Sequence, residues 1–431
     1  MTDFSRPFAN PLLEVSEFDS DATRSMALCA VPTGEGHVRF AIPSEYLDLV
    51  REFDGQRDAD EAIDAYIART PGARPKEWLQ RLVEESLIPK GILIHAHQDP
   101  GNAGVSKQPK LAFLYIKLPI IGPRIVDPIA RRLGFLFQHK VLLAGLLLFV
   151  AMHVYVYAFL VGDQRLDFNR LDAGDVLVLM LFSTLATVVH EFGHASAAAY
   201  YGCRRMTIGW GLYLIYTVLW TNVSEAWRLP RRQRALVDIG GVYFESFFLL
   251  AMLAAYLYSG EAIYLFAFIF IDLSIATTFN PFLRMDGYWL MSDVFGIVNL
   301  RKQQLIWTQE LAARLFGKEA PPVRSDLSRR AKWALGIYTV FGVAFLAYIL
   351  TVIYKFMVLN VLSEYPAMVV KYWNDLQAGM TLLQAGKDFL EIFWRSLMLF
   401  GATVTLLSLG RAVIRLVGSI ARIRTAAPQG A

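Results

Sequence analysis

Cysteine is nearly absent from this 431-residue chain: only Cys29 and Cys203 occur, far apart in the sequence. Two such residues make neither a disulfide framework nor a thiolate zinc cluster, so any metal must be held by imidazole and carboxylate. Charge is also scarce. Asp, Glu, Lys and Arg make up 19% of the residues and balance to only +4, and no nucleic-acid partner is expected. Residues 1–20 are polar and acidic with no apolar core. No signal peptide is expected, and the first hydrophobic segment must itself be the targeting signal.

What replaces charge is apolar surface. Hydrophobic residues reach 55% and aromatics 13%, with a mean hydropathy of +0.38. The distribution is uneven. Residues 1–96 read as a soluble head and 97–140 as a linker and interfacial segment. From 141 onward, long apolar runs alternate with basic connectors. A bilayer span needs about 20 apolar residues. Six segments qualify, at 141–161, 176–202, 239–258, 262–283, 333–354 and 393–410. A membrane core at 141–295, an amphipathic connector at 296–332 and a C-terminal pair of spans at 333–431 follow from them.

The connectors give an orientation. Arg124, Arg131, Arg132 and Lys140 precede the first span, and the loop after it is rich in Asp. Arg204, Arg205, Arg228, Arg231, Arg232 and Arg234 crowd the next connector, and the tail carries Arg411, Arg415, Arg422 and Arg424 with no acid. The positive-inside rule then puts both termini in the cytoplasm. The expected fold is mainly α and polytopic, with a small α+β head. In that head, 37–42 alternates like a strand, 43–53, 59–68 and 75–85 read as helices, and 91–95 reads as a second strand. The segment 206–222 (MTIGWGLYLIYTVLWTN) is apolar, β-branched and aromatic, yet interrupted by Gly209 and Gly211. It is too short for a helical hairpin and reads as a re-entrant β-hairpin; an interfacial loop is the alternative.

His190-Glu191-Phe192-Gly193-His194 is an HExxH motif inside the second span. Residues four apart share a helix face, so both imidazoles can reach one ion. Glu191 falls one step round, beside the metal, where it can take a proton from the attacking water. Two His and a Glu within a span are costly unless paired or coordinated. A catalytic zinc takes three protein ligands and keeps one position open. The third is expected from another helix, and Asp286, after the helix-breaking Pro281 and before Gly287, lies at the matching end of the fourth span.

HEFGH followed by Asn280-Pro281-Phe282-Leu283-Arg284-Met285-Asp286-Gly287 resembles the site-2 protease family of intramembrane metalloproteases, over about residues 175–295. The resemblance implies one Zn2+ per chain on His190, His194 and Asp286, with Glu191 as base. It implies that Asn280 contacts the substrate or steadies the reacting carbonyl, and that extended substrate lies along the 206–222 hairpin. Relatives often carry Gly-Pro and a nearby Asn where this chain has Gly241 to Glu245. Glu245 is therefore read either as a partner of a metal ligand or as a substrate contact.

Ser224-Glu225-Ala226-Trp227-Arg228-Leu229-Pro230-Arg231-Arg232 and Asp286-Gly287-Tyr288-Trp289 look like the bacterial peptide zinc metalloprotease branch, which is similar to proteins encoded beside peptide-maturation and export systems. Phe53 to Asp58 resembles a PqqD-like, winged-helix peptide-binding domain. The resemblance implies a bacterial cytoplasmic-membrane endopeptidase acting on a precursor peptide or membrane-anchored substrate, with a peptide exporter or membrane-fusion adaptor as partner. The alternatives are regulated cleavage of a membrane-bound regulator, or a non-proteolytic transporter or scaffold. His153 and Asp272, also within spans, are expected to be hydrogen-bonded to structural ends.

Overall fold

The computed structural model describes residues 6–33, 36–102, 114–161, 171–213, 216–315, 327–353, 355 and 361–425. Much of the expected linker (103–113), part of the first extramembrane loop (162–170) and part of the basic connector (316–326) lie outside the described residues. The chain forms two compact units. One comprises Met1–Gly211 with Val218–Val298, the other Leu212–Thr217 with Asn299–Ala431.

The first unit opens with the α+β head. Strands β2 (Glu14–Phe18), β3 (Met26–Thr33) and β4 (Gly36–Pro43) make an antiparallel meander in which Val15 faces Cys29 and Cys29 faces Phe40. The two-residue strands β1 (Phe8–Ala9) and β5 (Leu93–Ile94) pair separately. Helices α1 (Glu45–Arg51), α2 (Ala59–Arg69) and α3 (Lys76–Leu82) bury Leu49, Ile63 and Leu79 against Cys29, Val31 and Phe53. Helix α2 starts where the sequence supplies a capping box: Asp58 accepts from the Glu61 N–H, and Glu61 reaches back to the Asp58 N–H. The preceding turn is set by Asp54, whose carboxylate accepts the N–H groups of Gln56 and Arg57. Those donors hold its carboxyl below the usual range.

The two expected strands and three expected helices of the head are present. Strands β1, β2 and β3 are additional to those the sequence pattern predicts. β3 is buried through its middle and shows no alternation. β2 is polar and exposed except at Phe18, so it has no apolar face to detect.

Strand β6 (Leu114–Ile121) follows, then α4 (Pro123–Leu133), which starts with a proline at its first position. Helices α5 (His139–Tyr155) and α6 (Ala173–Tyr200) come next. Past α6, Asp127 of α4 accepts the N–H groups of Arg205 and Met206 and fixes the turn, where Arg205 has a positive φ of 57°. The strands expected at 206–222 form as β7 (Ile208–Tyr213) and β8 (Tyr216–Thr221), and β6 joins them in the order β6-β7-β8. Pro119 is tolerated because β6 is an edge strand. At Gly209 an added Cβ would overlap the Trp220 indole and the Leu118 carbonyl, so this crossing requires glycine. Helices α7 (Arg231–Ser259), α8 (Ala262–Thr278) and α9 (Asp286–Val294) complete the unit.

The second unit contains α10 (Leu300–Leu315), α11 (Arg329–Ile353), α12 (Ser363–Gln377) and α13 (Leu382–Thr425). Four helices of the described chain are long and apolar enough to cross a membrane: His139–Leu160, Gly174–Tyr200, Arg231–Ser259 and Arg329–Val352. Three of them expose Leu147, Val150, Leu177 and Val340 on their outward faces, as a lipid-facing surface does. These features fit a mostly helical membrane protein. Of the two other expected spans, 262–283 is helical only over the 17 residues of α8, 262–278, and 393–410 lies inside the 44-residue α13.

Candidate metal centre

Helices α6 and α7 pack closely at a pair of glycines. Gly193 and Gly240 meet backbone to backbone, and a Cβ on Gly193 would overlap the Gly240 carbonyl. Small residues at such a crossing let two helices approach closely. The approach brings α7 against the motif's imidazoles, and at Gly241 an added Cβ would run into the His190 ring. A third close contact sets α9. A Cβ on Gly287 would overlap the Phe279 carbonyl, so the Asn280 turn lies directly against the start of α9.

These contacts bring His190, His194 and Asp286 together. His190 Nε2 lies 2.8 Å from Asp286 Oδ2, His194 Nε2 lies 3.1 Å from the same oxygen, and the two Nε2 atoms are 3.1 Å apart. Both imidazoles are buried, and the Asp286 side chain is 22% exposed.

The outer side of each ring decides its tautomer. His190 Nδ1 faces Glu245 Oε2 at 2.9 Å, and His194 Nδ1 faces the Val237 carbonyl at 2.8 Å. Both partners are acceptors, so with the rings neutral each Nδ1 carries the proton and each Nε2 presents its lone pair to the cluster. Two lone pairs and a carboxylate oxygen therefore converge with no donor among them. Three electron-pair ligands so placed suit a cation. A tetrahedral site with bonds of about 2.0–2.1 Å has ligand edges of about 3.3 Å. The observed spacings fall a few tenths of an ångström short, about what small side-chain adjustments supply. The group could hold a metal ion.

Comparison of the chain with protein-family models, curated proteins and solved structures finds no match.

Glu191 is buried beside the cluster, 6% exposed. The Thr221 hydroxyl, at the end of β8, donates to its Oε2 at 2.6 Å and lies 3.1 Å from its backbone carbonyl. Of the residues expected at the site, His190, His194, Asp286, Glu191 and Glu245 are brought together. Asn280 is not among the three converging residues; its side-chain oxygen accepts the Phe282 N–H and shapes the turn before α9. Sequence reasoning missed Thr221, the Val237 carbonyl and the Gly193–Gly240 contact. The glycines alone left a signal, a Gly-Gly pair inside an otherwise bulky apolar span.

His153 of α5 and Asp272 of α8 form a pair of their own. His153 Nε2 lies 3.2 Å from Asp272 Oδ1, Tyr157 donates to Asp272 Oδ2 at 2.5 Å, and His153 Nδ1 meets the Phe149 carbonyl at 2.6 Å. This agrees with the structural ties expected of His153 and Asp272.

Proposed function

We propose that this protein is a zinc-dependent endopeptidase of the bacterial cytoplasmic membrane. The observation that carries the reading is the convergence of three acceptors, His190 Nε2, His194 Nε2 and Asp286 Oδ2, beside a buried carboxylate at Glu191. Those three residues would hold the metal. When bound, zinc supplies Lewis acidity and lowers the pKa of water toward neutrality. Glu245 and the Val237 carbonyl hold the two rings with Nε2 inward.

Glu191 removes a proton from the attacking water as its oxygen bonds to the scissile carbonyl carbon. The C–N bond then breaks, and Glu191 returns the proton to the leaving amine. The Thr221 hydroxyl orients that carboxylate. Because Thr221 ends β8, a substrate strand laid on the β7–β8 hairpin would reach the base directly. Asn280 is assigned to the substrate side, at the turn that packs on Gly287. Glu245 is assigned to His190 rather than to substrate.

The reading extends to six spans with α8 and part of α13 crossing the bilayer, the hairpin re-entrant, and both termini cytoplasmic. The head is assigned a PqqD-like peptide-binding role, and the substrate is a precursor peptide matured beside an exporter. The site-2 protease family, in its peptide zinc metalloprotease branch, fits this assignment through HEFGH and NPFLRMDG.

The experiment is metal content and peptide cleavage by purified protein in detergent, wild type beside Glu191→Gln. Wild type is expected to bind about one zinc per chain and cleave a peptide encoded by a neighbouring gene, with Glu191→Gln keeping the zinc and losing cleavage. Absence of metal, or equal behaviour of the two forms, would overturn the reading in favour of a transporter or scaffold.

A further inference from the structure

The end of β2 and the loop after it reach from the head onto the start of α7. Phe18 is buried there, 6% exposed, its ring 5.9 Å from that of Trp227 and 4.5 Å below the Arg234 guanidinium. The Asp19 carboxylate accepts the Arg231 N–H at 3.0 Å, capping a helix whose own N-cap is the side-chain-poor Pro230. The Asp21 N–H donates to the Gly296 carbonyl at 3.0 Å. Gly296 has a φ of +63°, and an added Cβ would lie 2.5 Å from the Asp21 nitrogen. The contact therefore depends on glycine.

Arg234 is the centre of this junction and is 4% exposed. Its Nη2 donates to the Asp19 carbonyl at 3.0 Å, its Nη1 to the Leu229 carbonyl at 2.9 Å, and its Nε to Asp293 Oδ1 at 2.8 Å. Asp293 sits two turns along α9 from Asp286, about 10 Å on a helix rising 1.5 Å per residue. A nine-residue helix moves as a rigid rod over that length. Its first residue is a metal-site carboxylate, and its far end is tied to the head through the buried Arg234 guanidinium and, just past the helix, through the Asp21–Gly296 bond.

We propose that the N-terminal head braces the helix bearing Asp286: Phe18 and Asp19 seat Arg234, and Arg234, through Asp293, sets the position of α9. Phe18, Arg234 and Asp293 are then positioning residues for the metal ligand, and whatever occupies the head can act on the site through them. The inference rests on the metal reading above for its consequence, and on the Arg234 contacts for its geometry. A planar fork serving three acceptors at once cannot be replaced by a lysine.

The test uses the full-length protein in detergent. Zinc affinity is measured by chelator competition, and amide exchange is followed through 286–294 with and without zinc. The variants are Arg234→Lys and Phe18→Ala, with Asp293→Asn as the milder substitution should Arg234→Lys not fold. Lys76→Ala, which loses only a surface pair with Asp64, is the control. Both junction variants are expected to weaken zinc at least about tenfold, the scale for losing a partner behind a ligand. Both should also speed exchange in α9 but not in α5, while the control changes neither. Zinc affinity within twofold of wild type, or α9 exchange unchanged, overturns the brace. If wild type takes up no zinc the metal reading fails, and exchange in the chelator-treated protein still decides the brace: faster exchange confined to α9 supports it, and unchanged exchange overturns it.

Discussion

Glu245 faces His190 from the side away from the ligand cluster, so its loss acts on the metal without removing a ligand. Glu245→Ala is expected to lower zinc affinity by about 10- to 100-fold, measured by chelator competition. Glu245→Gln should lose less, because its amide oxygen can still accept the Nδ1 proton. Thr221→Val removes the hydroxyl that orients Glu191 and keeps the size of the side chain. The expected loss is about tenfold in kcat with KM unchanged, equivalent to about 1.5 kcal/mol for a hydrogen bond to a charged group. An unchanged kcat would show that β8 does not hold the base. At this scale the two His, Glu191 and Asp286 were legible from residue type and spacing. Thr221 and the Val237 carbonyl were not, because a lone Thr and a backbone oxygen leave no pattern until tertiary contact places them.

The α6–α7 crossing sets the depth at which the imidazoles meet α7. Gly193→Ala forces the two backbones apart at Gly240, and the expected cost is about 1–3 kcal/mol of overpacking, read as a lower thermal midpoint together with loss of zinc. In the head, Asp58→Ala removes the capping box of α2 and should cost about 1 kcal/mol, seen in the unfolding of the head without change at the metal site. Element positions were readable where periodicity or length carried them, as in the apolar runs of α5, α6, α7 and α11. They were not readable in β2, β3 and β6. β3 is a continuous buried run, β2 lacks an apolar face, and Lys117 and Pro119 break β6, whose strand character comes from pairing with β7.

Across the whole molecule, burial protects both thiols. Cys29 and Cys203 are each pushed up to about 11 by desolvation. Only the thiolate reacts, so maleimide labelling at pH 7–8 is expected to be slow in the folded protein and to become complete on denaturation. Labelling of a thiol at the free-cysteine rate before unfolding would contradict its buried setting. Membrane topology is open to reporter fusions placed after residues 161, 260 and 425. Six spans require the last fusion to report the same side as the head, and the first two the opposite side. A tail on the far side would remove either α8 or α13 from the crossing set.

The sequence alone determined the long apolar runs, the HExxH pair on one helix face and, at the Pro281–Gly287 break, a candidate third ligand, because hydropathy and short-range spacing are local properties. Only the tertiary structure decided that Asp286 meets both imidazoles, that Glu245 and Val237 turn their bare nitrogens inward, and that the head reaches α9 through Arg234. Each depends on atoms dozens to hundreds of residues apart, brought together where glycines let the backbones touch.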